Sequence, residues 1–268
     1  MLIDAHNHIW DVPWPPLAPD PLAGEATRFL YYMDQNQVQT AIVVAHLDEH
    51  DPDNNRRALA RAAEFPGRFK VLGNVHLNQP EALAKVKAFL GEPHLVGISY
   101  YPAADDPCEW MRPGPLFDTL AAHALAVNLN LQPHQHGKLR QVARAYPETP
   151  FLVCHLGAPV RGGEPNPEWE EVLRSAEVPN LLMKISGFAY YSARYWEYPY
   201  RDVLPYVQRI AAAYGPERML WGSDHPVTTR FMTYRQSIEV VRTHCDFLTE
   251  AERALVLGEN ARRVFGLE

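Results

Sequence analysis

The sequence predicts an α/β fold, a (β/α)8 barrel, and three observations carry that expectation. Eight short apolar or β-branched runs recur along the 268 residues. Amphipathic stretches separate them, and strict strand–helix alternation implies right-handed βαβ units. Some runs, such as AIVVA at 41–45, are apolar at every position. That pattern suits a strand covered on both faces within a parallel sheet. Eight such units need roughly 250 residues, about the length available.

Taken in order, strands are expected near residues 2–5, 40–45, 69–75, 96–100, 127–131, 151–154, 181–185 and 219–221. Helical patterns fill the intervals at 24–36, 54–65, 80–90, 115–123, 138–146, 168–176 and 201–214. Two more, 234–244 and 250–257, follow the last strand. An open doubly wound sheet is the competing arrangement. It usually has fewer strands, and no GxGxxG follows the first run. No internal repeat stands out and no linker divides the chain, so residues 1–268 are expected to form a single domain. The 24 prolines are scattered, which suits long shaped loops within a compact protein.

Composition narrows the function. The net charge is −7 and no basic run exists, so nucleic acid is not the expected partner. The longest apolar stretches are far too short to span a bilayer, and no membrane partner is expected. The N-terminus lacks the basic start and apolar core of a secretion signal. Three widely spaced cysteines, 108, 154 and 245, form no CxxC. A reduced, cytoplasmic protein acting on a small molecule is expected, with room for a homo-oligomer.

Seven of the twelve histidines are expected at one rim. His6 and His8 follow the first strand, His46 the second, His76 the third, His134 the fifth and His155 the sixth. Asp224 and His225 follow the eighth. All lie at C-terminal strand ends, where barrels build their active sites. Residues i and i+2 of a strand share a face, so His6 and His8 can converge on one ion. Asp224 adds an oxygen ligand from the neighbouring strand once the barrel closes. A further histidine, from strand five or six, completes a mononuclear site. One divalent ion is expected, zinc ahead of manganese, since both accept mixed nitrogen and oxygen ligands.

Six motifs run in order along the chain: DAHNHIW, LQPHQ, CHLGAP, KISG, LWGSDHP and GENARRVFGL. Together they resemble the amidohydrolase superfamily, in its amidohydrolase-2 branch. Within the branch, the chain is most similar to sugar-lactone and dicarboxylate-lactone hydrolases. The matching segments are 155–159, 184–187 and 214–226. The resemblance implies a distorted (β/α)8 barrel that opens a small cyclic ester. It implies metal ligands at His6, His8 and Asp224, and at His134 as the strand-five histidine. The strand-six histidine, His155, is implied to touch substrate or aid proton transfer. Two positions depart from the pattern: His225 stands where a tryptophan is usual, and Cys154 where an aspartate is common.

A mechanism follows from these residue types. A metal lowers the pKa of water and polarises the carbonyl. Asp224 takes the proton and returns it to the leaving alkoxide. His155 steadies the oxyanion or acts as an acid–base partner. Lys184, His225 and Arg161 are the expected substrate contacts, and Arg161 and Arg230 are the loop arginines able to clamp a carboxylate. Trp10 and Trp14 are expected to roof the pocket or pack their loop, and the aromatic stretch at 189–200 to serve as a lid, a ring-stacking wall or a subunit contact. Two other functions compete. One is a decarboxylase of unsaturated or aromatic acids, from the sister branch; the other is a non-catalytic binding barrel.

Overall fold

A computed structural model describes residues 1–17, 19–46 and 51–268. Eight parallel strands form a barrel. They are β1 (Ile3–Asn7), β2 (Thr40–Val44), β3 (Phe69–Asn74), β4 (Leu95–Tyr100), β5 (Ala126–Leu129), β6 (Phe151–Val153), β9 (Leu181–Ile185) and β10 (Met219–Trp221). A two-stranded hairpin, β7 (Val160–Arg161) and β8 (Glu164–Pro165), interrupts the series and is antiparallel. The expected fold class is therefore the one observed, and the hairpin is an addition to it.

Alternation along the strands builds two apolar layers. Ile3, Ile42, Val44, Leu72, Leu152, Leu182 and Leu220 fill the lower interior of the barrel. Ala261 and Phe265, on and just after α11 (Asn260–Val264), close that end. The opposite faces of the same strands, including Val43, Val71, Val127, Val153, Met183 and Trp221, pack outward against helices. The helices present matching stripes. In α1 (Ala26–Gln35), Ala26, Phe29 and Met33 are buried at spacings of three and four. In α8 (Leu204–Tyr214), Val207, Ile210 and Tyr214 repeat the stripe.

Several boundaries differ from expectation. The fifth strand stops at Leu129, and Pro133–Gln135 forms a separate turn before α5 (His136–Ala145). The pattern at 168–176 yields only a short helix, α6 (Glu170–Arg174), flanked by tighter turns. A four-residue helix, α7 (Phe188–Tyr191), arises inside the aromatic stretch. Among the described residues no helix is long and apolar enough to cross a membrane. The three cysteines are free and buried.

Barrel closure falls at the rim that matters. Asp224 N–H donates to the His6 carbonyl at 2.8 Å, and His8 N–H to the His225 carbonyl at 2.6 Å. Below them Asp4 clasps the last strand. Its carboxylate accepts from Ser223 N–H (2.9 Å), Ser223 Oγ (2.5 Å) and Tyr234 Oη (3.1 Å). Gly222 permits the approach: a Cβ there would lie 2.4 Å from His6 Cβ.

Candidate active site

The first strand carries a bulge. Asp4 pairs with Ala41 and Asn7 with Val43, so β1 spends one extra residue over that interval. Ala5 packs into the inner apolar layer. Simple alternation would then turn His6 outward. The extra residue brings it inward instead, against the polar side chains above that layer. His8 lies just past the strand, and the two rings meet edge to face with centroids 5.4 Å apart.

Asp224 completes the cluster. Its Oδ1 lies 3.2 Å from His8 Nε2 and 3.6 Å from His6 Nε2. One ligand atom from each of the three buried residues falls within 4.8 Å of the others. The His8 ring is oriented from behind, with Nδ1 2.8 Å from the Val44 carbonyl. A carbonyl only accepts, so Nδ1 carries a proton, and Nε2 faces Asp224 Oδ1. A proton or a metal ion between that nitrogen and the carboxylate oxygen joins the pair. This donor set, two imidazole nitrogens and one carboxylate oxygen, fits a divalent ion. Burial, then Lys184 and neighbouring histidines, hold His6 well below the usual imidazole range, so it is neutral.

The second oxygen of Asp224 is also held: Tyr190 Oη donates to Oδ2. Burial, then Asp224 itself, pushes the Tyr190 phenol well up, so it remains a donor. Burial alone would raise the Asp224 carboxyl, but His155, His8 and Tyr190 together bring it below its usual value. It is therefore a carboxylate at neutral pH. Asp224 and His155 both have left-handed backbone, with φ of +55° and +50°. Such conformations cost side-chain-bearing residues of order 1–3 kcal/mol and often mark functional sites.

Above the cluster opens a cavity of about 400 Å³. His8, His155 and Asp224 form its floor, while Trp10, Trp14, Tyr101, Tyr190 and Tyr191 make much of its wall. Trp10 stacks on His8 at 4.9 Å, and Trp14 leans on Trp10 at 4.2 Å. Asn130 and Gln132 add neutral polar groups. Arg161, on the hairpin, is the one permanently cationic side chain among the described lining residues.

Three expected contacts fall elsewhere. His134 is not beside the cluster: its side chain is 43% exposed, with Nδ1 3.8 Å from Glu168. The early end of β5 is the reason, because the chain turns outward before residue 134 is reached. The variant His134→Ala is expected to keep its metal content and to change kcat by less than about twofold, since exposed ion pairs contribute little. Metal analysis beside steady-state kinetics checks this. Lys184 is fully buried under His6, with Nζ 3.3 Å from His6 Nδ1, and does not line the cavity. Burial pulls its amine down to about 8, although Cys154, Asp4 and Asp224 oppose the shift. His225 is buried and stacked on Phe29 at 4.5 Å, facing away from the cavity. The direction of the chain past Asp224 sends neighbouring side chains to opposite sides.

Tyr101 and Ser186 also reach the site. Tyr101 Oη lies 3.1 Å from His6 Nε2, and Ser186 Oγ lies 2.9 Å from His155 Nδ1. Both follow strand ends in sequence, a signal that marks Tyr101 once β4 is placed. Tyr190 depends on α7, which no periodicity announces.

The family model described as amidohydrolase matches residues 3–267. The chain is 27% identical to a protein named L-fucono-1,5-lactonase from Burkholderia ambifaria, over 99% of this chain and 96% of that one. A solved amidohydrolase from Burkholderia multivorans with bound zinc superposes with a TM-score of 0.81, at 19% identity and full coverage of both chains. A probable 2-pyrone-4,6-dicarboxylic acid hydrolase from Acinetobacter baumannii, with citric acid bound, gives 0.76 at 20% identity, covering 99% of each chain. The solved structures share the fold. With the profile matched from the first strand to the last helix, the chain belongs to the amidohydrolase family.

Proposed function

We propose that this protein hydrolyses a lactone, and that its preferred substrate is a neutral lactone of a sugar acid. The observation that carries the reading is the floor of the cavity. A buried carboxylate, Asp224, lies within reach of two imidazoles, and a cavity of about 400 Å³ opens above it. The named activity of the Burkholderia ambifaria relative supports it.

His6, His8 and Asp224 are the residues that would hold a divalent ion, with zinc favoured. Bound there, the ion supplies Lewis acidity to the ester carbonyl and makes water more acidic. Asp224, a carboxylate at neutral pH, accepts the proton of the attacking water and returns it to the ring oxygen as that bond breaks. Tyr190 fixes Oδ2, so the carboxylate cannot rotate away from this task. His155, on the cavity floor, faces the carbonyl and stabilises the charge that develops there. The tryptophan wall excludes water and stacks against the apolar face of a sugar ring.

Charge supports the choice of substrate. Recognising a dicarboxylate calls for two cationic partners, each making charge-assisted hydrogen bonds. Arg161 supplies one, and Lys184 is sealed below. Asn130, Gln132 and Tyr101 instead offer the neutral donors and acceptors that hydroxyl groups need. Acid release from five- and six-membered aldonolactones should exceed that from lactone dicarboxylates by roughly tenfold or more in kcat/KM, the cost of leaving one carboxylate unpaired. The reverse preference contradicts the substrate class.

A further inference from the structure

Ser186 has no part in the chemistry described above, yet it is fully buried beside His155. Its Oγ lies 2.9 Å from His155 Nδ1. Among the described residues this is the only hydrogen-bond partner found for its side chain. A hydroxyl carries one proton and must place it on an acceptor. If Nδ1 were protonated, it would donate to Oγ and leave the hydroxyl proton without an acceptor. That penalty disfavours the arrangement by roughly tenfold or more. The alternative satisfies both groups: Oγ–H donates to an unprotonated Nδ1, and the imidazole proton lies on Nε2.

The surroundings keep this contact rigid. His155 is held by its left-handed backbone and by its ring contact with His6, centroids 4.6 Å apart. Gly187, next to Ser186, has a φ of +71°, and a Cβ there would come within 3.1 Å of His155 Nδ1. The glycine therefore lets the serine backbone approach the ring edge.

We propose that Ser186 is a positioning residue that fixes His155 as the Nε2–H tautomer, a hydrogen-bond donor aimed at the substrate carbonyl. This rests on the reading of His155 given above, but it has a consequence of its own. A histidine that ligates a metal through Nε2 must carry its proton on Nδ1. The Ser186 contact therefore assigns His155 to the substrate and leaves His6, His8 and Asp224 as the protein's ligands.

The test is a long-range ¹H–¹⁵N correlation spectrum of the full chain labelled with ¹⁵N-histidine and supplemented with zinc. The variant His155→Gln identifies the His155 signals by their loss. The wild-type protein is expected to show His155 protonated on Nε2. Ser186→Ala should show a mixture of tautomers, with kcat on a lactone lowered about tenfold and KM changed by less than about threefold, the scale seen for such supporting groups. Ser186→Thr, which keeps the hydroxyl, should restore both. Protonation on Nδ1 in the wild type overturns the proposal, because it leaves Nε2 free to ligate the ion. An unchanged tautomer in Ser186→Ala overturns it too. The wild-type spectrum decides the tautomer even if Ser186→Ala fails to fold. The Nε2–H tautomer in a protein that opens no lactone supports the Ser186 assignment and removes only the substrate reading.

Discussion

Replacing Asp224 by asparagine is expected to lower kcat on a lactone by roughly a thousandfold or more, within the span of acid–base catalysis together with loss of a charged ligand. The substitution preserves shape. Asparagine keeps an oxygen for the Tyr190 hydroxyl and a backbone N–H for the His6 carbonyl. What it removes is the negative charge that faces His8 Nε2 at 3.2 Å and the oxygen that accepts a proton from water. Steady-state kinetics beside a urea unfolding curve separate chemistry from folding. A variant with a rate within fivefold of wild type would show that another group is the base. Zinc affinity should fall in the same variant, because one of three donors loses its charge.

The second large effect is structural. Gly222→Ala is expected to destabilise the protein by about 3 kcal/mol, the upper range for overpacking. The added Cβ would lie 2.4 Å from His6 Cβ and 2.9 Å from His6 N. Both are fixed by β1, so no flexible side chain can move aside. Relief requires β1 and the chain after β10 to separate where Asp224 N–H meets the His6 carbonyl. The ligand cluster straddles that seam. Zinc affinity should therefore fall together with the urea midpoint, although neither Gly222 nor the alanine touches the ion. A stable Gly222→Ala with unaltered affinity would mean that closure does not position the cluster.

Much of this was legible before the fold was seen. Fully apolar runs such as residues 41–45 identify strands buried on both faces, and eight strand-like runs alternating with helical patterns imply closure. Closure in turn brings His8 to Asp224, 216 positions later. The identity of the rim followed from where polar residues succeed apolar runs. The details that strand periodicity could not supply concern departures from it. His6 reaches the interior through a bulge, which no alternation rule foresees. His134 is lost to the site because β5 ends at Leu129 and the following turn carries it outward. Lys184 alternates inward correctly, but one layer too low to meet a ligand. Tyr190 and Ser186 depend on a tight turn after β9, where Gly187 adopts positive φ and α7 begins.

The reaction itself is the most direct measurement. Zinc-supplemented wild-type protein should be given a neutral six-membered sugar-acid lactone in one vessel and an unsaturated carboxylic acid in another. Acid release is followed in the first and carbon dioxide in the second. Enzyme-dependent acid release that is lost in Asp224→Asn is expected, with no carbon dioxide. Carbon dioxide from the second vessel, with no acid beyond background from any lactone in the first, would contradict the lactonase reading.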